Sequence, residues 1–373
     1  MKLKIDKNNW EKVKLIDVFT KREENDKVNA KKRFDKFLKV EHMDKESLHI
    51  KRWSSQEKGD ELNPYFYKIF RKGQILFPTR NPHLRRTALA SFDGICGEKT
   101  LTLEPNEEFI IPEFIPFLFH SESFYAHTTG VIIGSTNPHC RWRDVANYEF
   151  LLPPKDQQNQ LAELLWAMDD VIKKEREVLE RLNEASQIAF ENEIEKSSGE
   201  LIPLSEVLIP KKAKSQVPHK INRYIGLEHI ESGAFSCIEF GNSNEVLAQC
   251  NIVEEGDLCY SKLRPYLDKA FIATFQAVST TELLIYNTHK LSKEFVLYHL
   301  HSKPFIHFVT GKGFGTKMPR VSHKIIGEYK VKLVDDEDKI LGLMRNFEKS
   351  KTNMNTKIIN SKALQKSLIN QIF

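Results

Sequence analysis

The chain has 373 residues, 40% hydrophobic and 29% charged, with a formal net charge of +5. That length implies two or three domains, and no apolar run approaches the ~20 residues of a membrane-spanning helix. The charged opening stretch up to Lys14 has no apolar signal core, and five scattered cysteines lack any Cys-x-x-Cys spacing. Both features predict a chain that stays in the reducing cytoplasm, without a disulfide framework or a zinc site.

In chain order, short runs bounded by Gly, Pro and Asn read as strands at Gln74 to Phe77 and Ala88 to Phe92. Helical sequence follows around Glu113 to Tyr125. After Pro153-Pro154, Asp156 can cap a long helix whose apolar residues include Leu161, Leu164, Met168, Val171 and Leu182. They recur as a seven-residue repeat with Glu175 as its polar breach, ending near Ser197-Ser198-Gly199. Strand signals resume at Leu258 to Tyr260, Ala270 to Phe275 and Glu282 to Tyr286, with helical sequence from Lys293 to Phe308. A second long helix opens on Asp335-Asp336-Glu337-Asp338, acidic residues suited to a helix N-terminus. It carries Ile340, Leu343, Phe347 and Leu364 toward Phe373.

The sequence also repeats itself. The run from Gly73, GQILFPTRNPHLRRTALASF, answers GDLCYSKLRPYLDKAFIATF from Gly256 at an offset of 183. Pro82 pairs with Pro265, Leu84 with Leu267 and Phe92 with Phe275. Before it, Phe37 to Met43 answers Tyr224 to Ile230; after it, His120-Ser121 answers His301-Ser302 and Gly134 answers Gly315. Several matches in one order indicate a tandem duplication. The predicted fold is α/β (α+β): two tandem globular domains, residues 1–153 and 199–334, separated by helices 154–198 and 335–373 that zip into an antiparallel coiled coil.

Charge follows the same plan. Residues 1–155 carry 27 basic and 22 acidic side chains, and residues 201–334 carry 17 and 12, a net of +5 in each case. Residues 156–200 carry 5 and 12, a net of −7. A polyanion would be drawn to the two globular parts and repelled by the first helix. Thr79, Arg80, His83, Arg85 and Arg86 form one cluster of polar and basic residues, with Lys262, Arg264, Tyr266 and Lys269 as its counterpart. Arg141 and Arg143 form another, against Lys312, Lys317 and Arg320 in GKGFGTKMPR. Such side chains donate to guanine edges and phosphates, and their pairing across the repeat makes them the candidate contacts.

No catalytic constellation accompanies them. Asn81-Pro82-His83-Leu84 and Asn137-Pro138-His139-Cys140 lack the second proline and the aromatic ring of an adenine-methylation motif. Gly311-x-Gly313-x-Gly315 lacks the spacing of a nucleotide loop. His299, His301 and His307 have no carboxylate or cysteine beside them to complete a metal set.

RYIGLEHIESG from Arg223, GDLCYSKLRPYLDKAFIA from Gly256, KMPRVS from Lys317 and PPKDQQ from Pro153 together resemble the specificity subunits of type I restriction-modification systems. The likeness spans nearly the whole chain and is strongest in the second repeat. The first repeat departs from it with FPTRNPHL, and the second spacer has Asp335-Asp336 where the family commonly has a proline pair. The resemblance implies a non-catalytic subunit that reads a bipartite, asymmetric sequence in double-stranded DNA, one half per recognition domain. It implies two adenine-N6 methyltransferase subunits as partners and, in the full complex, two ATP-dependent translocase-nuclease subunits. S-adenosylmethionine, ATP and Mg would then sit on those partners, and this chain would bind no cofactor. Two other readings stand beside it: a self-sufficient DNA-modifying enzyme with diverged motifs, and a coiled-coil scaffold for proteins.

Overall fold

In the computed structural model the described residues are 5–315 and 318–373. They divide into two compact units, Met1–Glu177 with Thr356–Phe373, and Val178–Asn355. Each long helix therefore contributes to both units.

In the first unit, Glu11–Lys14 pairs antiparallel with Glu149–Leu152, joining the two ends of the globular part. A four-stranded sheet runs in the order Phe19–Lys21, Thr100–Pro105, Ile75–Pro78, Ala88–Leu89. A five-stranded sheet runs Glu24–Asn25, Phe66–Phe70, Gly94–Gly97, Lys36–Leu38, Ser54–Ser55, with Lys36–Leu38 parallel to Gly94–Gly97. Ile75–Pro78 is buried at all four positions, which is why it reads as a continuous apolar run rather than an alternating one.

The second unit repeats this plan with one strand more, Ser236–Cys237. Gly199–Pro203 pairs with Lys330–Val334. One sheet runs Leu208–Pro210, Leu283–Thr288, Leu258–Ser261, Ala270–Ala273, Ser236–Cys237. The other runs Lys214–Ser215, Cys250–Val253, Ala277–Ser279, Arg223–Ile225, Gly241–Asn242, and Arg223–Ile225 is again the strand in parallel pairing, with Ala277–Ser279. Equivalent positions carry equivalent cores: Phe124 and Phe305, 181 residues apart, are both fully buried.

The predicted helices are present with corrected limits. The sequence from Glu113 to Tyr125 splits into a 3-10 turn at Ile115–His120 and a helix at Glu122–Gly130, because Ser121 caps the latter by accepting from the Phe124 amide at 3.2 Å. Lys293 to Phe308 likewise breaks into Lys293–Leu300 and Lys303–Gly311, with Ser302 as the new cap. The first long helix spans Lys155–Lys196, so Asp156 lies inside its first turn and does not cap it. Gln158 explains part of the PPKDQQ run. Buried, it accepts from the Ile111 amide at 2.8 Å and donates to the carbonyls of Pro153 and Phe109. Gln157 accepts from the Trp10 indole at 2.8 Å. Both glutamines fasten the helix to its own globular part.

The second long helix spans Glu337–Ile372. In the first unit its final turns run antiparallel to the first helix, with Gln365 donating to the Leu165 carbonyl at 3.3 Å and Ser361 to Glu175 at 3.2 Å. The buried side chains here are Ala162, Leu165, Ile172, Ile358, Leu368, Ile369 and Ile372. In the second unit Phe190, Ile340, Leu341 and Met344 are buried in the same core. Leu161, Met168 and Phe347 are partly buried against these cores, and Leu182 is half-buried. Leu164, Val171, Leu343 and Leu364, expected in the seam, are exposed instead. The apolar arc of each helix is wider than a seven-residue seam, and the globular part covers only one side of it.

Candidate nucleic-acid interface

Each unit builds one feature at the end of its central strand. After Ile75–Pro78 the chain makes a 3-10 turn, Pro82–Leu84, flanked by left-handed residues Asn81 (φ 50°) and Arg85 (φ 52°). After Leu258–Ser261 it makes Pro265–Leu267, flanked by Arg264 (φ 51°) and Asp268 (φ 49°). Proline fixes the first helical position. Asn and Asp tolerate the left-handed region, whereas arginine there is unusual and is held only by its surroundings.

Those surroundings are a second loop. The Arg264 amide donates to the Pro319 carbonyl at 2.7 Å, Leu263 bridges Arg320, and Arg320 pairs with Phe314 across a tight hairpin. Gly315 (φ 96°) makes that hairpin possible, since a Cβ there would meet the Met318 carbonyl at 3.2 Å. The first unit repeats the bracing: the Asn81 amide donates to the Pro138 carbonyl at 2.9 Å, Arg80 bridges His139, and His139 pairs with Ile133. Residues far apart in sequence thus form one braced turn in each copy.

The candidate residues divide sharply. Arg80 and His83 are exposed, Lys262 and Arg264 are half-buried, and Tyr266 is 49% exposed. Among the described residues Arg80, Lys262 and Arg264 form no ion pair, so their charge is free for a ligand. Arg141 and Arg143 reach Asp144 at 2.7 and 3.6 Å, Lys312 reaches Glu328 at 2.7 Å, and Arg320 reaches Glu282 at 3.1 Å. Such surface pairs are worth little and can exchange partners.

Four candidates have other work. Thr79 is buried and donates to the Lys99 carbonyl at 2.8 Å. Arg86 donates to the carbonyls of Val40 and Met43, and its counterpart Lys269 to that of Leu227, so both lock the turn to a neighbouring 3-10 turn. Arg85 forks onto Glu122 and also binds Glu46 at 2.8 Å. Its guanidinium holds the Glu122 carboxyl down at about 2. Lys317 lies outside the described residues.

The braced geometry agrees with the offset of 183: Asn81 stands where Arg264 stands. Phe314 and Met318, 57% and 47% exposed on the hairpin beside Arg264, were not among the candidates. Exposed apolar residues in a Gly-rich loop were the signal for them.

Residues 7–184 match the family described as type I restriction modification DNA specificity domain. Residues 7–184 therefore carry the likeness to a type I DNA specificity domain, just under half of the chain. The second unit has a topology related to that of the first. A chain from a structure titled for the complex assembly and conformational transition of the type I R-M system is 17% identical to it. That chain superposes with a TM-score of 0.59, over 98% of this chain and 97% of its own length. At that identity the likeness speaks for the fold of the whole chain. The HsdS subunit of Thermoanaerobacter tengcongensis is 18% identical with a TM-score of 0.42, over 98% of this chain and 97% of its own. The type I S subunit of M. genitalium is 14% identical with a TM-score of 0.49, over 100% and 98%. No curated protein sequence matches the chain. Among the described residues no helix is long and apolar enough to cross a membrane, and no group of three or more His, Cys, Asp or Glu is placed to hold a metal ion.

Proposed function

We propose that this specificity-domain protein is the DNA-reading subunit of a cytoplasmic type I restriction-modification complex, with each unit reading one half of a bipartite, asymmetric target. The carrying observation is that one braced turn is built twice, once in the unit that matches the specificity-domain family and once in a second unit of related topology. In the second unit Lys262 and Arg264 offer donors for guanine edges or phosphates, and Tyr266 and Phe314 offer exposed rings beside them. In the first unit Arg80 and His83 take that place. Arg141, Arg143, Lys312 and Arg320 are placed to exchange their surface carboxylates for phosphate.

The long helices take the protein partners. Leu164 and Val171 on the first helix and Leu343 and Leu364 on the second are apolar and exposed, and the acidic first helix repels DNA. Two adenine-N6 methyltransferase subunits dock there, carrying S-adenosylmethionine. Two translocase-nuclease subunits, carrying ATP and Mg, complete the restriction form. This chain supplies no catalytic group.

The test is incubation of the purified chain with DNA and labelled S-adenosylmethionine, with and without its methyltransferase partner. Methylation is expected only with the partner. Methyl transfer by the chain alone would establish a self-sufficient enzyme instead. Partner binding that resists competitor DNA, without any sequence preference, would establish a scaffold.

A further inference from the structure

The second unit contains a cavity of about 280 Å³ that the DNA reading does not use. Three of its walls are aromatic. The ring of Tyr298 lies 5.5 Å from that of Phe190 and 4.6 Å from that of Phe235, and Phe235 lies 4.9 Å from the His301 ring. The remaining lining is mainly polar and includes Glu191, Asp268 and His301. The one lysine there, Lys351, is bound to Glu348 at 2.7 Å.

Two buried acceptors among the lining residues lack a partner. His301 is 7% exposed; in the neutral ring whose Nδ1–H donates to Asp268 at 2.7 Å, Nε2 is an acceptor without a donor among the described residues. Glu191 Oε1 is likewise buried and unpartnered among the described residues. An unpaired buried carboxylate oxygen is costly; a hydrogen-bond donor relieves it, and a cationic donor does so most strongly.

The first unit shows what fills the equivalent place. Arg85 stands where Asp268 stands, at the end of the Pro turn, and Glu46 (φ 52°) stands where Gly233 (φ 71°) stands. The correspondence is fixed by matching bonds, Glu46 amide to Arg85 carbonyl at 2.9 Å and Gly233 amide to Asp268 carbonyl at 2.7 Å. There the Arg85 guanidinium lies 5.0 Å over the Tyr125 ring and binds Glu46 and Glu122. The first unit therefore supplies its own guanidinium, among carboxylates and an aromatic face. The second unit has Asp268 in place of that arginine and Gly233 in place of Glu46, and the carboxylates and rings around its cavity, Glu191, Asp268, Phe190, Phe235 and Tyr298, come from other positions with no guanidinium among them.

We infer that the second unit binds a small organic cation bearing N–H donors, an alkylguanidinium or primary alkylammonium, between Glu191, the Asp268–His301 pair and the faces of Phe190, Phe235 and Tyr298. The rings attract the charge through their quadrupoles, and the acceptors take its N–H groups.

The test is calorimetric titration of the full chain with agmatine as the alkylguanidinium, urea as its neutral analogue and tetramethylammonium as a cation without donors. Agmatine should bind saturably at one site, urea should not bind, and tetramethylammonium should bind about tenfold more weakly or worse, the loss of a charge-assisted hydrogen bond. Glu191→Gln should weaken agmatine about tenfold with the melting temperature unchanged. Asp268→Arg, which installs the first unit's own cation, should abolish binding. Absence of saturable agmatine binding to the folded chain, or equal binding by Glu191→Gln, would overturn the site. Tetramethylammonium binding as tightly as agmatine would overturn the acceptors.

Discussion

The two Pro turns contain the same parts in opposite order. In the first unit the turn runs from Asn81 to Arg85, in the second from Arg264 to Asp268, with all four residues left-handed. Each turn thus pairs one residue that tolerates this backbone with one arginine that does not. In the first unit the arginine lies at the far end and is consumed by Glu46 and Glu122. In the second it lies at the near end, braced against the hairpin and free of an ion pair among the described residues. Duplication preserved the scaffold and moved the charge, so the two halves present different chemistry on one frame. That is what a reader of two unlike half-sites requires.

The scaffold half of that comparison breaks most severely in the core. Phe124→Ala and Phe305→Ala, fully buried at equivalent places, should each destabilise their unit by ~3–5 kcal/mol, read by denaturant unfolding. Strongly unequal losses would show that the two frames are not held alike.

The buried histidines sharpen it next. Burial lowers His120 in the first unit to about 4 and His299 in the second to about 3. The unfolded chain binds those protons near the ordinary histidine value of ~6.5 while the folded chain refuses them, so there is no penalty above that pH and stability falls as pH drops below it. By pH 5 each contributes a loss of up to ~2 kcal/mol. Melting between pH 7 and pH 5 should show the fall, and His299→Phe should remove about half of it, leaving the part that His120 contributes.

The smallest effect separates the copies. Glu122→Gln removes half of the Arg85 fork and should cost no more than ~1 kcal/mol, because Glu122 is well exposed. Lys303→Gln, at the matching position of the second unit, should stay within ~0.5 kcal/mol. The Glu122 pair also has a pH signature. Its carboxyl is depressed to about 2, so its contribution is complete above ~4.5 and disappears as pH falls through about 2. An acid titration of Glu122→Gln against the parent reads that difference.

Much of this was legible in the sequence, because the repeat at a steady offset fixes which residues correspond. It carried the two long helices, the Pro turns and the candidate clusters at Arg141 and Arg143 and in GKGFGTKMPR. Sequence did not show which basic residues are free. Arg85 and Arg320 look alike on the page as surface charges; only the fold brings Glu122 and Glu282 to them. Arg86 and Lys269 look like contacts because their targets are carbonyls, which no sequence pattern displays. An apolar arc wide enough for two faces does not say which face the globular part covers: Leu165 and Leu368 lie inward, Leu164 and Leu364 outward.

The division of reading between the two units is tested most directly by mapping methylated adenines in cells that carry the chain with its methyltransferase partner. Arg264→Ala should relax or shift one half of the methylated target only, and Arg80→Ala the other half only, each at ~1–3 kcal/mol of lost discrimination. If both substitutions alter the same half, or neither alters any, the two-reader account is contradicted.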